Sequence, residues 1–269
     1  MCDNNRNALP RNCRPSTIAG RLGPMNVTAR KRVGILVFPD VEVLDFTGPF
    51  EVFTLVRFNE ERRWEDHSPF DVVLIAENDH EIRASGGMRV APDHTIDDCP
   101  KLDILVIPGG WGTRREIHNE RLIAWIAKQG RTVETLTSVC TGSLLLGQAH
   151  LLDGKPATTH FKALDWLRES FPSVNVQGEE NVVETDNGRV LTSAGISAGI
   201  DMAFMVVARY FGEDIARATA KFMEYRYPDD NRRHVASDHE RPEGASPALN
   251  GEGDGIGLLR QISGSLADP

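Results

Sequence analysis

Cys140 stands where a β-branched run, Thr132-Val133-Glu134-Thr135-Leu136-Thr137, gives way to a helix-forming run, Leu144-Leu145-Leu146-Gly147-Gln148-Ala149. The turn between them includes the small residues Thr141, Gly142 and Ser143, which permit a tight bend. A cysteine there is presented at the end of a strand, with the first amides of the helix directed at it. Those amides and the helix dipole favour negative charge, so the pattern predicts a thiolate nucleophile. A buried structural cysteine at a helix start is the alternative reading.

A free thiol with a pKa of about 8.5 is mostly protonated at neutral pH, so attack also needs charge stabilisation and a proton carrier. Gly109-Gly110 at a strand's end lets backbone amides approach a ligand closely. The amides of Gly110 and Thr141 are therefore candidates for stabilising charge, and a plain turn is the competing reading. Asp45, between Leu44 and Phe46, is an acid among apolar neighbours, a costly placement without a partner. It reads equally as a proton carrier and as a helix N-cap. His160, at the end of the strand after the elbow helix, is either an auxiliary acid–base group or a satisfied structural histidine. Trp111 is a pocket wall or a structural aromatic. No HxxxH or HExxH pair occurs, so no metal site is expected.

The elements that must position these residues alternate between strand and helix. Arg32–Phe38, Asp71–Ala76 and Asp103–Ile107 are apolar runs of the kind buried on both faces of a parallel sheet. Helices are expected around Phe50–Val56, through Leu122–Ile126, around Ala163–Ser170 and over a long stretch from Ser197 to Tyr225. Glu81–Val90 reads as a hairpin across Gly86-Gly87, and Asp186-Asn187-Gly188 as a turn between strands at 182–184 and 189–192. The alternation predicts an α/β sandwich with its site at the carboxyl ends of the strands.

The 269 residues carry a net charge of -9, which argues against a general nucleic-acid binder. No run approaches the roughly 18 apolar residues of a membrane span. The four cysteines, Cys2, Cys13, Cys99 and Cys140, show no CxxC pair and fit free thiols in a reducing, cytoplasmic compartment. Residues 1–30 are arginine-rich and lack an apolar signal core, which predicts a disordered leader; a transit peptide is the alternative, and Met25 is a second candidate start. Residues 31–227 form the expected domain, and 228–269 a disordered tail.

Several stretches together carry a resemblance. Val33-Gly34-Ile35-Leu36-Val37-Phe38-Pro39, Leu44-Asp45-Phe46-Thr47-Gly48-Pro49, Ile107-Pro108-Gly109-Gly110, the Cys140 turn, Ala157-Thr158-Thr159-His160 and Gly195–Asp201 resemble the ThiJ/PfpI superfamily. Within it, the chain is most similar to the isocyanide (isonitrile) hydratase branch. The protease and glyoxalase branches place His after the cysteine, where this chain has Thr141.

The resemblance implies a flavodoxin-like sandwich of the class I glutamine amidotransferase type, with a mostly parallel sheet and a nucleophile-elbow cysteine. It implies a homodimer acting without cofactor, with no nucleic-acid or membrane partner. The small-molecule partner would be an electrophilic isocyanide, hydrated to an N-substituted formamide. Cys140 would attack, Asp45 would carry protons, and Thr141 with Gly109 and Gly110 would hold the intermediate. A helix starting near Ile196 would pack beside the nucleophile, with His160 auxiliary. A glyoxalase-like or hydrolytic enzyme and a non-enzymatic redox-sensing or ligand-binding protein are the alternatives. The superfamily also supplies effector domains to AraC-type regulators, but the tail after residue 228 lacks helix-turn-helix patterning.

Overall fold

Continuous apolar strands demand cover on both faces, and the topology supplies it. The structure, a computed structural model, describes residues 30–228. All but the last residue of the proposed leader and all but the first of the proposed tail, with Cys2, Cys13 and Met25, lie outside the described residues.

The strands are β1 (Lys31–Leu36), β2 (Phe70–Ala76), β3 (Ile82–Arg83), β4 (Arg89–Val90), β5 (His94–Thr95), β6 (Ile104–Ile107), β7 (Thr135–Val139), β8 (Pro156–Ala157), β9 (Asn175–Val176), β10 (Val182–Thr185) and β11 (Val190–Ser193). The helices are α1 (Val43–Leu55), α2 (Thr113–Glu116), α3 (Glu120–Gly130), α4 (Gly142–Gln148), α5 (Leu164–Ser170), α6 (Ala198–Phe211) and α7 (Glu213–Phe222). Seven strands form one sheet in the order β10-β11-β7-β6-β1-β2-β5, parallel except for the β10–β11 pair.

From β1 the chain steps to β2 on one side, whereas from β6 it steps to β7 on the other. Right-handed crossovers therefore put α1 and α3 on opposite faces. α6 and α7 pack with α1, and α2, α4 and α5 with the α3 layer. Every residue of β6, β7 and β11 is buried, which explains their largely apolar and β-branched character, broken only by Ser138 and Ser193. In α3, Asn119 caps the first turn and Leu122, Trp125 and Ile126 form the buried stripe. The reversal of direction at β1 and β6 opens a crevice at their carboxyl ends, the site expected for a sheet of this kind.

The structure corrects several boundaries. α1 begins at Val43 and takes in Gly48 and Pro49, a pair that reads as a break in isolation. α1 instead continues through them, with Gly48 backed against Ile200 of α6. The long helix expected over 197–225 is two helices, parted at Gly212 with φ of +89°. The strand before His160 ends at Ala157, so His160 belongs to a turn. β5, β9 and α2 are too short for their periodicity to register in the sequence. Among the described residues no helix is long and apolar enough to cross a membrane.

Phe204 is the apolar anchor of α6, fully buried and stacked on Tyr225 at 5.5 Å between ring centroids. Phe204→Ala should cost about 3–5 kcal/mol of unfolding free energy, seen as a lower urea midpoint with an unchanged slope.

Candidate active site

Cys140 follows β7 directly and adopts φ of +56°, a left-handed conformation that L-residues with a Cβ adopt at a cost. Both of its backbone groups are held there. Its N–H donates to the Ser193 and Ala194 carbonyls at the end of β11, at 3.1 and 3.2 Å. Its carbonyl accepts from the Thr159 hydroxyl at 2.9 Å and the Ser143 hydroxyl at 3.3 Å. A strained residue persists only when its surroundings over-determine it, and here three chain segments do so.

The exit of β6 backs onto this turn. A Cβ on Gly142 would lie 2.0 Å from the Ile107 carbonyl oxygen, and one on Gly109 would lie 2.4 Å from the Thr141 nitrogen. Only glycines let the two loops approach so closely. The loop after β1 joins them through an antiparallel bridge between Val41 and Gly110, and Glu42 N–H donates to the Gly109 carbonyl at 2.9 Å.

Asp45 lies in the first turn of α1 and is fully buried. It is not the N-cap: that position is Glu42, which makes no side-chain capping bond. The Asp45 carboxyl instead turns across to β6, where Oδ2 accepts from the Gly109 N–H at 3.0 Å. Oδ1 has no hydrogen-bond partner among the described residues, although the Cys140 thiol is close enough to perturb its titration. Burial raises the Asp45 pKa to about 7 against the opposing pull of the Gly109 amide, and nearby Glu42 raises it further.

The thiol itself departs from the sequence expectation. Burial, then the Asp45 charge, pushes Cys140 up to about 12, while the Thr141 amide and hydroxyl act in the opposite direction. The helix-start amides do favour the thiolate, but desolvation outweighs them. The resting pair is thus a thiol beside a carboxyl that titrates near neutrality, and the two act as a coupled unit.

Thr141 bridges the loops. Its hydroxyl accepts from the Gly110 N–H at 3.0 Å and lies 2.9 Å from the Thr113 hydroxyl. The Gly109 and Gly110 amides are consequently occupied by Asp45 and Thr141, which corrects the expectation that they are free to hold a substrate's charge. Of the amides singled out in the sequence, that of Thr141 is directed at the sulfur.

His160 is structurally employed. Its Nδ1 accepts from the Lys162 N–H at 3.2 Å, capping a single 3-10 turn at Phe161–Ala163. Its ring covers Gly195, where a Cβ would come within 2.1 Å of Cδ2. Burial and Lys162 lower its pKa, so it is a neutral imidazole at pH 7. Ile196 has φ of +32° and precedes α6, whose Gly199 packs on the Val139 side chain next to Cys140. Trp111 is exposed, with the Arg114 guanidinium 3.8 Å above its ring. Sequence reasoning missed Thr113, Ser193 and Ala194; Thr159 was visible only as part of a motif.

A cavity of about 630 Å³ opens elsewhere, lined by Phe38, Glu77, Arg115, Glu116 and Asn119 among others, and includes neither Cys140 nor Asp45. Among the described residues no group of three or more His, Cys, Asp or Glu could hold a metal ion.

Asp45 makes stability depend on pH with a defined sign. Its folded pKa lies above the ordinary 3.8, so the native state holds the proton more tightly than the unfolded chain. The residue is neutral in its effect below about pH 4 and destabilises as pH rises to about 7, by about 4 kcal/mol at most. The stability of Asp45→Asn relative to wild type should therefore grow between about pH 4.5 and pH 8 in urea titrations. A constant difference across that window would contradict the raised pKa.

Residues 31–209 match the DJ-1/PfpI family. The chain is 35% identical over 195 residues to an isonitrile hydratase of Pseudomonas putida, covering 72% of this chain and 78% of that protein. It is 32% identical over 183 residues to the HTH-type transcriptional regulator CdhR of Pseudomonas aeruginosa, covering 67% of this chain but only 51% of the regulator. A solved ThiJ/PfpI family protein from Pseudomonas syringae superposes with a TM-score of 0.65 at 27% identity, over 83% of this chain and 87% of that one. Fold and sequence agree: the chain belongs to the DJ-1/PfpI family.

Proposed function

We propose that this protein hydrates isocyanides to N-substituted formamides, with Cys140 as nucleophile and Asp45 as proton carrier. The observation that carries the reading is the buried Asp45 carboxyl, fixed through Oδ2 by Gly109, with Oδ1 unpaired among the described residues and the carboxyl close enough to Cys140 for each to shift the other's titration. An acid–base group works best with a pKa near the working pH, and Asp45 has one of about 7. The 35% identity to an isonitrile hydratase supports the same chemistry.

In the first step the Asp45 carboxylate takes the thiol proton as the sulfur bonds to the terminal isocyanide carbon. Asp45 then returns that proton to the same carbon, giving a thioimidate, R–N=CH–S–Cys. In the second step water adds to the thioimidate carbon, passing one proton to Asp45 and the other to the nitrogen, which becomes N–H. Collapse breaks the C–S bond, releases R–NH–CHO and returns the proton to sulfur. The substrate plus one water equals the product, so no redox partner is needed. The Thr141 amide, directed at the sulfur, steadies the charge that collects there.

A homodimer belongs to this reading, supported by apolar side chains left exposed around the site loops: Leu44, Trp111, Phe161 and Ile196. A cytoplasmic location belongs to it as well, supported by the free thiols of Cys99 and Cys140. The employment of the His160 ring and Nδ1 disfavours a glyoxalase-like route that relies on it. Burial of the Cys140 thiol disfavours peroxide sensing, which calls for an exposed, acidic thiol. The likeness to a transcriptional regulator supports a second reading, in which the protein binds a small molecule without turning it over.

Purified protein mixed with alkyl and aryl isocyanides should yield formamides by mass spectrometry, and Cys140→Ala should yield none. Asp45→Asn should lower kcat/KM by about 10²–10⁴-fold. In the wild type kcat/KM should rise with pH through a midpoint at about 7, where Asp45 ionises and can accept the thiol proton. Saturable binding of an isocyanide with no formamide would favour the ligand-binding reading instead.

A further inference from the structure

The two peptide groups of Cys140 are tied unequally. Its N–H has two acceptors, the Ser193 and Ala194 carbonyls, both outside the turn. Its carbonyl has two donors, but one of them, Ser143, belongs to the helix that the turn opens, and that bond is long at 3.3 Å. A bond made within the turn travels with it and cannot fix it against the rest of the molecule. Thr159, 19 residues along the chain, can.

A carbonyl oxygen only accepts, so the direction of the Thr159 bond is settled: the hydroxyl donates, at 2.9 Å. Thr159 is buried, and among the described residues its hydroxyl makes no other hydrogen bond.

The segment that carries Thr159 is itself locked to the segment that holds the Cys140 N–H. The Thr158 N–H donates to the buried Thr192 hydroxyl at 2.9 Å. On the other side of Thr159, the His160 ring lies against Gly195, where a Cβ would strike it. Residues 157–160 and 192–195 therefore form one clamp, with one jaw on each peptide group of Cys140. A residue gripped through both peptide groups cannot change φ or ψ without breaking one of the bonds.

We propose that Thr159 is a positioning residue for the nucleophile: through the Cys140 carbonyl, its hydroxyl holds Cys140 in the left-handed conformation. The β11 carbonyls fix the N–H alone; with Thr159 absent, ψ is free to turn and the strain at φ of +56° is free to relax. The Cβ then moves with the backbone, and the sulfur with it. His160 serves the same end by keeping the two jaws together. The consequence for turnover rests on the hydration reading; the consequence for the backbone of Cys140 does not.

The test follows hydrogen exchange at the Cys140 amide by NMR on the full-length protein. Thr159→Val removes the hydroxyl at nearly constant shape and should speed that exchange by roughly three- to tenfold, the scale of one net hydrogen bond. Thr159 does not bond to this amide, so the change reports that Cys140 itself has turned. Thr159→Ser keeps the hydroxyl and should leave the rate within about twofold of wild type. Ser143→Ala, which removes the bond made within the turn, should speed exchange less than Thr159→Val does. The amides of β1 and β6 should exchange as in the wild type throughout, which guards against a general loosening of the fold. Should Thr159→Val not fold, Thr159→Ala serves with the same expectation.

Wild-type exchange at Cys140 in Thr159→Val would overturn the proposal, as would equal acceleration in Thr159→Val and Thr159→Ser, or acceleration shared by β1 and β6. If isocyanides are turned over, Thr159→Val should lower kcat by about ten- to a hundredfold, with KM within about twofold. The midpoint of the pH profile should stay at about 7, because the hydroxyl does not touch Asp45. If the wild type turns over no isocyanide, the hydration reading fails while hydrogen exchange still decides the role of Thr159.

Discussion

The left-handed backbone at Cys140 is the constraint on which the rest of the site depends. Such a conformation costs on the order of 1–3 kcal/mol and survives because both peptide groups of the residue are hydrogen-bonded, the N–H wholly and the carbonyl partly from outside the turn. Ser193 and Ala194 at the end of β11 hold the N–H, while Thr159 and Ser143 hold the carbonyl. Because β11 pairs with β7 in register up to Val139, the sheet itself delivers those carbonyls to the right height. The residue is thereby fixed at the carboxyl end of β7, where it remains buried.

A second constraint follows from burial. Asp45 sits in a helix turn beside apolar neighbours, yet its carboxyl is satisfied on one oxygen only. An isolated buried carboxylate would be far too costly, so the group responds by raising its pKa towards neutrality. The same desolvation raises the thiol. A protonated thiol beside a carboxyl that titrates near neutrality holds a movable proton rather than a standing thiolate. This matches attack on a neutral carbon that must itself be protonated, and it fits poorly with a cysteine kept permanently ionised.

The loops around the pair are close-packed in a way that leaves little freedom for substitution. Gly109 and Gly142 lie where a single methyl group would strike backbone atoms, and Thr141 is bound from two sides. Loop residues of this kind, held on rigid strand ends, keep catalytic or binding groups in place without adding to the core.

Much of this was legible in the sequence because it depends on local chemistry. Apolar β-branched runs alternating with amphipathic helices specify a sheet covered on both faces, and the parallel sheet places residues after β1, β6 and β7 on one edge. Cys140, Thr141, Gly109 and Asp45 could therefore be assigned to one edge in advance. What the sequence could not decide were properties that arise between segments far apart in the chain. Whether Asp45 caps its own helix or turns across to Gly109 depends on the position of β6, not on Asp45's neighbours. The balance between helix amides and desolvation at Cys140 depends on how much apolar surface encloses the sulfur, and the enclosure wins. The Gly110 amide and the Thr113 hydroxyl meet the Thr141 hydroxyl, and the His160 ring meets Gly195, contacts made across the fold. Sequence patterning thus determined the strands, the edge and the residue types that meet there; tertiary packing decided which hydrogen-bonding groups stay free, because each partner comes from a different loop.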